Sequence, residues 1–237
     1  MTPKTPKQAP GGRSSRSALY IVIGAALAVA AAIIVAVVFL RDDGTSTASS
    51  TPVVDIEGIP QDGAVLGPAD PKVTLIEYAD IQCPACLNYT ETLFPTVVAE
   101  YVRPGKINTE FRGYPFLGPD SLKGQQFLLA AAEQDKLWQL QEGFYRNQGA
   151  ENSGWLTDDL IREIASEIPG LDVDKLFADA NTQETEQAAQ QATVDAQNAG
   201  ISQTPTLLIK VGDEEPYMIQ VAAPDQLREA LDAALES

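Results

Sequence analysis

Val73-Thr74-Leu75-Ile76-Glu77-Tyr78-Ala79, then Asp80-Ile81-Gln82, then Cys83-Pro84-Ala85-Cys86, is the stretch that decides the fold. VTLIEYA is apolar and β-branched enough for a buried strand. A helix-like run follows the second cysteine through Val102, and Pro95 should kink or divide it. A cysteine between a strand end and a helix start meets unpaired N–H groups and the positive end of the macrodipole. That lowers its pKa and raises the fraction of thiolate, which is the reactive species. Cys86, three residues on, falls on the same helix face, from where it can attack a mixed disulfide formed by Cys83. Pro84 suits the first helical turn, where its missing N–H has no intrahelical partner.

The spacing has two plainer readings. One is a structural disulfide, but a four-residue loop restricts the unfolded chain least and so stabilises little. The other is a pair of unrelated buried thiols. The strand-then-helix setting favours a redox pair over both.

Outward from the motif, Pro104-Gly105 supplies a turn and Ile107–Arg112 alternates as a second strand. Residues 120–199 look helical. Leu156 and Ile161 bracket Thr157 as a hydrophobic staple around an N-cap, and Thr182–Asn198 reads as a helix stopped near Gly200. Strand character returns at Thr206–Val211 and Tyr217–Val221, spaced as an antiparallel pair. Pro224–Glu236 closes the chain as a helix with Leu227, Leu231 and Leu235 on one face. The order β-α-β, helical block, β-β-α predicts an α/β sheet with a helical insertion at about 117–200.

Composition narrows the chemistry. The 237 residues contain two cysteines and no histidine, which excludes Ser-His-Asp and Cys-His nucleophile systems and any His-based metal site. Two cysteines cannot supply a conventional structural zinc within one chain, although a site shared between two chains stays open. The formal charge is −17, while residues 1–17 carry Lys4, Lys7, Arg13 and Arg16 and no acid. So acidic a remainder argues against nucleic acid as a partner.

Ala18 to Leu40 is free of charge. As a helix it rises about 35 Å, enough for a hydrocarbon core of about 30 Å. It is longer than the apolar part of a cleaved signal peptide. The basic tail predicts a cytoplasmic N-terminus and a C-terminal domain outside the membrane, with cleavage within residues 41–50 the other reading. Residues 41–60 read as a flexible tether and 61–237 as one domain.

Taken together, LIEYADIQCPAC (75–86), FRGYPFLGPDS (111–121) and GISQTPTLLI (200–209) resemble the DsbA-like thiol–disulfide oxidoreductases of bacterial cell envelopes. The resemblance spans about residues 62–236 and implies a thioredoxin fold with a helical insertion. It implies Cys83 as an exposed nucleophile, Cys86 as a buried resolving thiol, and Pro205 as a cis-proline facing them. Thr204 would offer backbone hydrogen bonds to a bound peptide, beside Pro84 and Ala85. Glu77 matches an acidic position beneath the site, where a buried carboxyl would relay a proton to or from Cys86; an exposed strand-edge charge is the other reading. No cofactor is implied beyond the Cys83–Cys86 disulfide itself.

The expected activity is disulfide exchange with exported cysteine-containing proteins, as a disulfide-forming oxidase recycled by a membrane redox partner. Strong oxidants of this family carry Pro-His between the cysteines, and this chain has Pro84-Ala85. A weaker oxidant, or an envelope reductase or isomerase, is therefore a competing expectation, and a tethered binding or chaperone domain a third.

Overall fold

The structure is a computed structural model and describes residues 54–237. The basic tail 1–17, the apolar span 18–40 and most of the tether 41–60 lie outside the described residues. Among the described residues, no helix is long and apolar enough to cross a membrane.

A two-residue hairpin, β1 (Gln61–Asp62) and β2 (Val65–Leu66), precedes the central strand β3 (Val73–Ala79). From Pro84 the chain forms α1 (Pro84–Thr92) and α2 (Phe94–Val97), then a π-helical turn, Val98–Val102. Pro95 divides the run as expected, because it cannot donate the N–H that would continue α1. Strand β4 (Ile107–Gly113) returns parallel to β3, pairing Leu75 with Thr109 and Glu77 with Phe111. Five helices form the insertion: α3 (Pro119–Ala132), α4 (Leu137–Arg146), α5 (Asp158–Ser166), α6 (Val173–Ala180) and α7 (Gln183–Asn198). Strands β5 (Thr206–Val211) and β6 (Tyr217–Ile219) and helix α8 (Pro224–Glu236) complete the domain.

The sheet order is β1-β2-β4-β3-β5-β6, with β5 antiparallel to both β3 and β6. Side chains alternate faces along β3. Val73, Leu75 and Ala79 join the larger core with α1, α2, α4 and α8, while Ile76 and Tyr78 join a small core completed by Tyr114, Ala196, Ile201 and Leu208. Glu77 has the parity of the larger core.

The caps follow the sequence signals. The Thr157 hydroxyl accepts the Leu160 N–H at 3.2 Å, and Leu156 and Ile161 are both buried beside it. The Thr182 hydroxyl accepts the Thr185 N–H at 3.1 Å, and α7 ends before Gly200 at φ +76°. Its 16 residues bury only Ala189 and Ala196, so a helix rich in Gln and Ala packs closely on small side chains.

One boundary needs correcting. The flexible tether was expected to run to residue 60, but Val54, Ile56 and Ile59 are buried in the larger core. Arg103 clamps this strap by donating to the carbonyl oxygens of Asp55 (2.6 Å) and Glu57 (3.1 Å), with a 3.3 Å ion pair to Asp55. Burial of three aliphatic residues offsets the entropy of ordering so short a segment. The hairpin β1–β2, too short to show a period, was also not anticipated.

Candidate active site

Strand β3 delivers its chain to the end of the sheet, where Asp80, Ile81 and Gln82 turn it into α1. Cys83 is the N-cap residue of α1, with extended φ/ψ of −75° and 116°. Its carbonyl accepts the Cys86 N–H at 3.1 Å and the Leu87 N–H at 3.2 Å, so its sulfur lies beside the open first turn. Pro84 and Ala85 are exposed in that turn, and Cys86 is fully buried one turn in. Both thiols are free.

The two sulfurs are held in opposite protonation states. The Cys83 thiol is pulled down to about 6, first by a hydrogen bond from Cys86, then by Thr204 and the backbone N–H groups of Cys86 and Ala85, all against partial burial. Cys86 is pushed well above the ordinary thiol value, first by burial, then because it donates its proton to Cys83 and feels the charges of Cys83 and Glu77. No cationic side chain takes part. The asymmetry comes from the hydrogen bond between the two sulfurs, the difference in their depth, Thr204 and the helix start.

Thr204-Pro205 is a cis peptide bond and stands against Cys83. As a thiol, Cys83 donates to the Thr204 carbonyl at 3.4 Å. The Thr204 hydroxyl is buried and has no hydrogen-bond partner in that state, so it is available to donate to the thiolate. This cover corrects one expectation. Cys83 was expected to be exposed, and it is only 7% exposed, because the Thr204-Pro205 segment packs over it. Beside it runs a groove of about 610 Å³ lined by Ala85, Tyr89, Thr204, Pro205 and Met218 among others, with no charged residue in its wall. Met218 of its wall is about half exposed, as is the neighbouring Tyr217 of β6.

Glu77 is 1% exposed on the centre of β3, which excludes the strand-edge reading. Burial, followed by the charge on Cys83, raises its carboxyl to about 8. One carboxyl oxygen, Oε1, has no hydrogen-bond partner. At neutral pH the group is therefore a protonated acid. It raises Cys86, Tyr89 and Tyr145 through its charge when ionised.

The residues that hold the loop were not singled out from the sequence. Asp80 is buried and accepts four hydrogen bonds: from the Gln82 N–H (2.9 Å), the Ser121 hydroxyl (2.6 Å), and the Phe116 (3.0 Å) and Leu117 (3.1 Å) N–H groups. Burial raises its carboxyl, and these donors oppose the rise. Gln82 accepts the Asn152 N–H at 2.7 Å and donates to Ser121 at 2.9 Å. Gln148 donates to the carbonyls of Ile81 (2.8 Å) and Cys83 (3.3 Å). The insertion thus fixes the carbonyl that starts α1. The signal was present in DIQC and FLGPDS, whose polar residues face each other only once the sheet forms.

Trp138, Phe144 and Tyr145 are buried in the core and Trp155 is half-buried against it, and Trp138 stacks on Phe94 with ring centroids 5.2 Å apart. Among the described residues, no group of three or more His, Cys, Asp or Glu side chains could hold a metal ion.

The chain belongs to the thioredoxin family, which it matches over residues 60–233, and within it is a DsbA-like thiol–disulfide oxidoreductase. It is 28% identical over 174 residues to the "Probable disulfide bond formation protein D" of Bacillus cereus, covering 72% of this chain and 78% of that protein. Its fold is similar to the crystal structure of oxidised BdbD from Bacillus subtilis, with a TM-score of 0.65 and 22% identity over 76% of this chain and 98% of that one. It is likewise similar to alpha-DsbA1 of Wolbachia pipientis, with a TM-score of 0.63 and 20% identity over 75% and 94% of the two chains.

Proposed function

We propose that this chain is a membrane-anchored disulfide oxidase that acts outside the cytoplasm on exported cysteine-containing proteins. One observation carries the direction: Cys83 is held as a thiolate while Cys86 and Glu77 hold protons. In the disulfide form, a client thiolate attacks the Cys83 sulfur and the Cys83–Cys86 bond breaks. Cys86 leaves with the electron pair and takes the proton of Glu77. The second client thiolate then attacks the client sulfur of the mixed disulfide, and Cys83 leaves as the stable thiolate. The client loses two electrons, and a membrane redox partner must remove them from the dithiol.

Thr204 and Pro205, with Pro84 and Ala85, form the surface on which the client backbone lies. The uncharged apolar run and the charges flanking it support a cytoplasmic tail at 1–17 and an anchor at 18–40. A second reading, an envelope reductase or isomerase, is favoured by Ala85, which adds no charge to stabilise the thiolate. Trapping the thiol state of the pair in cells decides between them. A pair found mostly as the disulfide supports the oxidase; a pair found mostly as the dithiol overturns it. A Cys86→Ser variant should accumulate mixed disulfides with its clients through Cys83.

A further inference from the structure

A small cavity of about 10 Å³ is walled by Val54, Ile56, Glu77, Thr90, Phe94, Trp138, Gln141 and Glu142, and Cys86 is not in its wall. That volume holds about one water molecule when the wall is polar. The wall is polar on one side. Glu77 Oε1 and Trp138 Nε1 are buried without hydrogen-bond partners, and Thr90 and Gln141 add further polar groups. A buried, unpaired carboxyl oxygen costs stability unless something bonds to it.

A second, open groove of about 460 Å³ lies against the strap, lined by residues 54–59 together with Gln61, Lys136, Gln139, Glu142 and Pro169. Val54, Ile56 and Glu142 belong to the walls of both spaces. Glu142, on α4, is half-buried and lines both spaces. The strap contributes Val54 and Ile56 to both walls, and Arg103 is its clamp.

We propose that this cavity is the proton port of Glu77: one water molecule links Glu77 to Glu142, and the clamped strap Val54–Ile59 is the lid that keeps bulk water out. The inference rests on the proton-donor role of Glu77 given above. After Glu77 has protonated the leaving Cys86 thiolate, it is a buried anion with no route to solvent through the client groove, which the docked client covers. A proton from solvent reaches Glu142, passes through the water, and restores the acid. No bond other than O–H changes, and the balance is one proton from bulk water to Glu77. Cys83, Cys86, Tyr89 and Tyr145 also face Glu77, and none of them lies in the wall of the port. Glu142 and Arg103 are positioning residues in this scheme, since neither touches the reacting sulfurs.

The test follows the protonated carboxyl of Glu77 by infrared difference spectroscopy on the reduced full chain, the band being assigned by its loss in Glu77→Gln. Two readouts matter: the pH midpoint of the band, and the rate at which it returns after a jump to low pH. Arg103→Ala should release the lid, hydrate the cavity and lower the midpoint by about one pH unit. Ile56→Ser should do the same from within the strap. Glu142→Gln should slow the return by about tenfold or more, with Glu142→Asp restoring most of the rate. Midpoints unchanged in both strap variants, or a return rate unchanged in Glu142→Gln, overturns the port. A Glu77→Gln variant with full exchange activity overturns instead the donor role on which the port rests.

Discussion

Lowering the pH of the reduced protein from 9 to 5 should withdraw the stabilisation that the Cys83 thiolate contributes, seen as the difference between the wild type and Cys83→Ser, and its size follows from the shift of that thiol. The Cys83 thiol value falls from 9.0 to about 6 on folding. A depressed value means that the unfolded chain binds the proton more tightly. The stabilisation is therefore complete above pH 9, declines as pH falls, and is gone below about pH 6. Three pH units correspond to a ceiling of about 4 kcal/mol at high pH, of which about 1.4 kcal/mol is realised at pH 7. The sulfur keeps part of its solvation, and screening reduces these values to about half. In redox terms the pH 7 share raises the potential of the disulfide by about 15 to 30 mV. The assay is urea unfolding of the reduced wild type and of Cys83→Ser at a series of pH values, with the thiolate absorbance near 240 nm followed in parallel. The wild type should gain on the variant between pH 6 and 9. A thiolate midpoint at the ordinary value near 8.5, or a difference that stays flat across that window, would refute the reasoning. A measured potential near −120 mV would also defeat it, since the sulfur–sulfur hydrogen bond, depth, Thr204 and helix start without a cation do not supply so strong an oxidant.

The remaining predictions concern the groups around the cysteines. Glu77 has the opposite sign to Cys83: its value is raised to about 8, so it stabilises least at alkaline pH, and Glu77→Gln should gain on the order of 3 kcal/mol at pH 8 and nothing at pH 4, read from denaturant midpoints. Asp80→Ala strands three backbone N–H groups and the Ser121 hydroxyl, and should cost about 3 kcal/mol or more in thermal or denaturant unfolding while slowing exchange through a displaced N-cap. Gly124 on α3 has no room for a side chain, since a Cβ there would lie 2.6 Å from Ile81 Cγ1, so Gly124→Ala should cost about 1–3 kcal/mol, measured as a lower Tm.

Much of the site was legible because its signals are local. The strand, the helix start and the cysteine spacing lie within fourteen residues, and the caps at Thr157 and Thr182 are decided within one turn of helix. The depth of Glu77 was also readable in principle: it shares the parity of Val73 and Leu75, and a strand with both faces covered has no exposed face. The cover over Cys83 was not readable from local pattern, because it comes from residues 121 positions downstream, and only the family resemblance put Pro205 opposite the cysteines. The same holds for the strap, whose Val54, Ile56 and Ile59 look like stray aliphatics in a polar stretch until α2 and α4 give them a surface. Asp80, Gln82, Gln148 and Asn152 are common loop residues, and their pairing is a product of the finished fold.

The bonds from the insertion to the cysteine loop set a limit on modularity. A shortened protein made by excising residues 117–200 and rejoining the sheet would retain every strand from β3 to β6. It would also leave the Ile81 carbonyl and the Gln82 amide without the Gln148 and Asn152 groups that now hold them. Such a trimmed scaffold would keep its architecture and lose the fixed pose of its nucleophile. In this chain the helical block is less an ornament on a redox domain than a jig for it, and the two have to be inherited, transplanted or redesigned as one part.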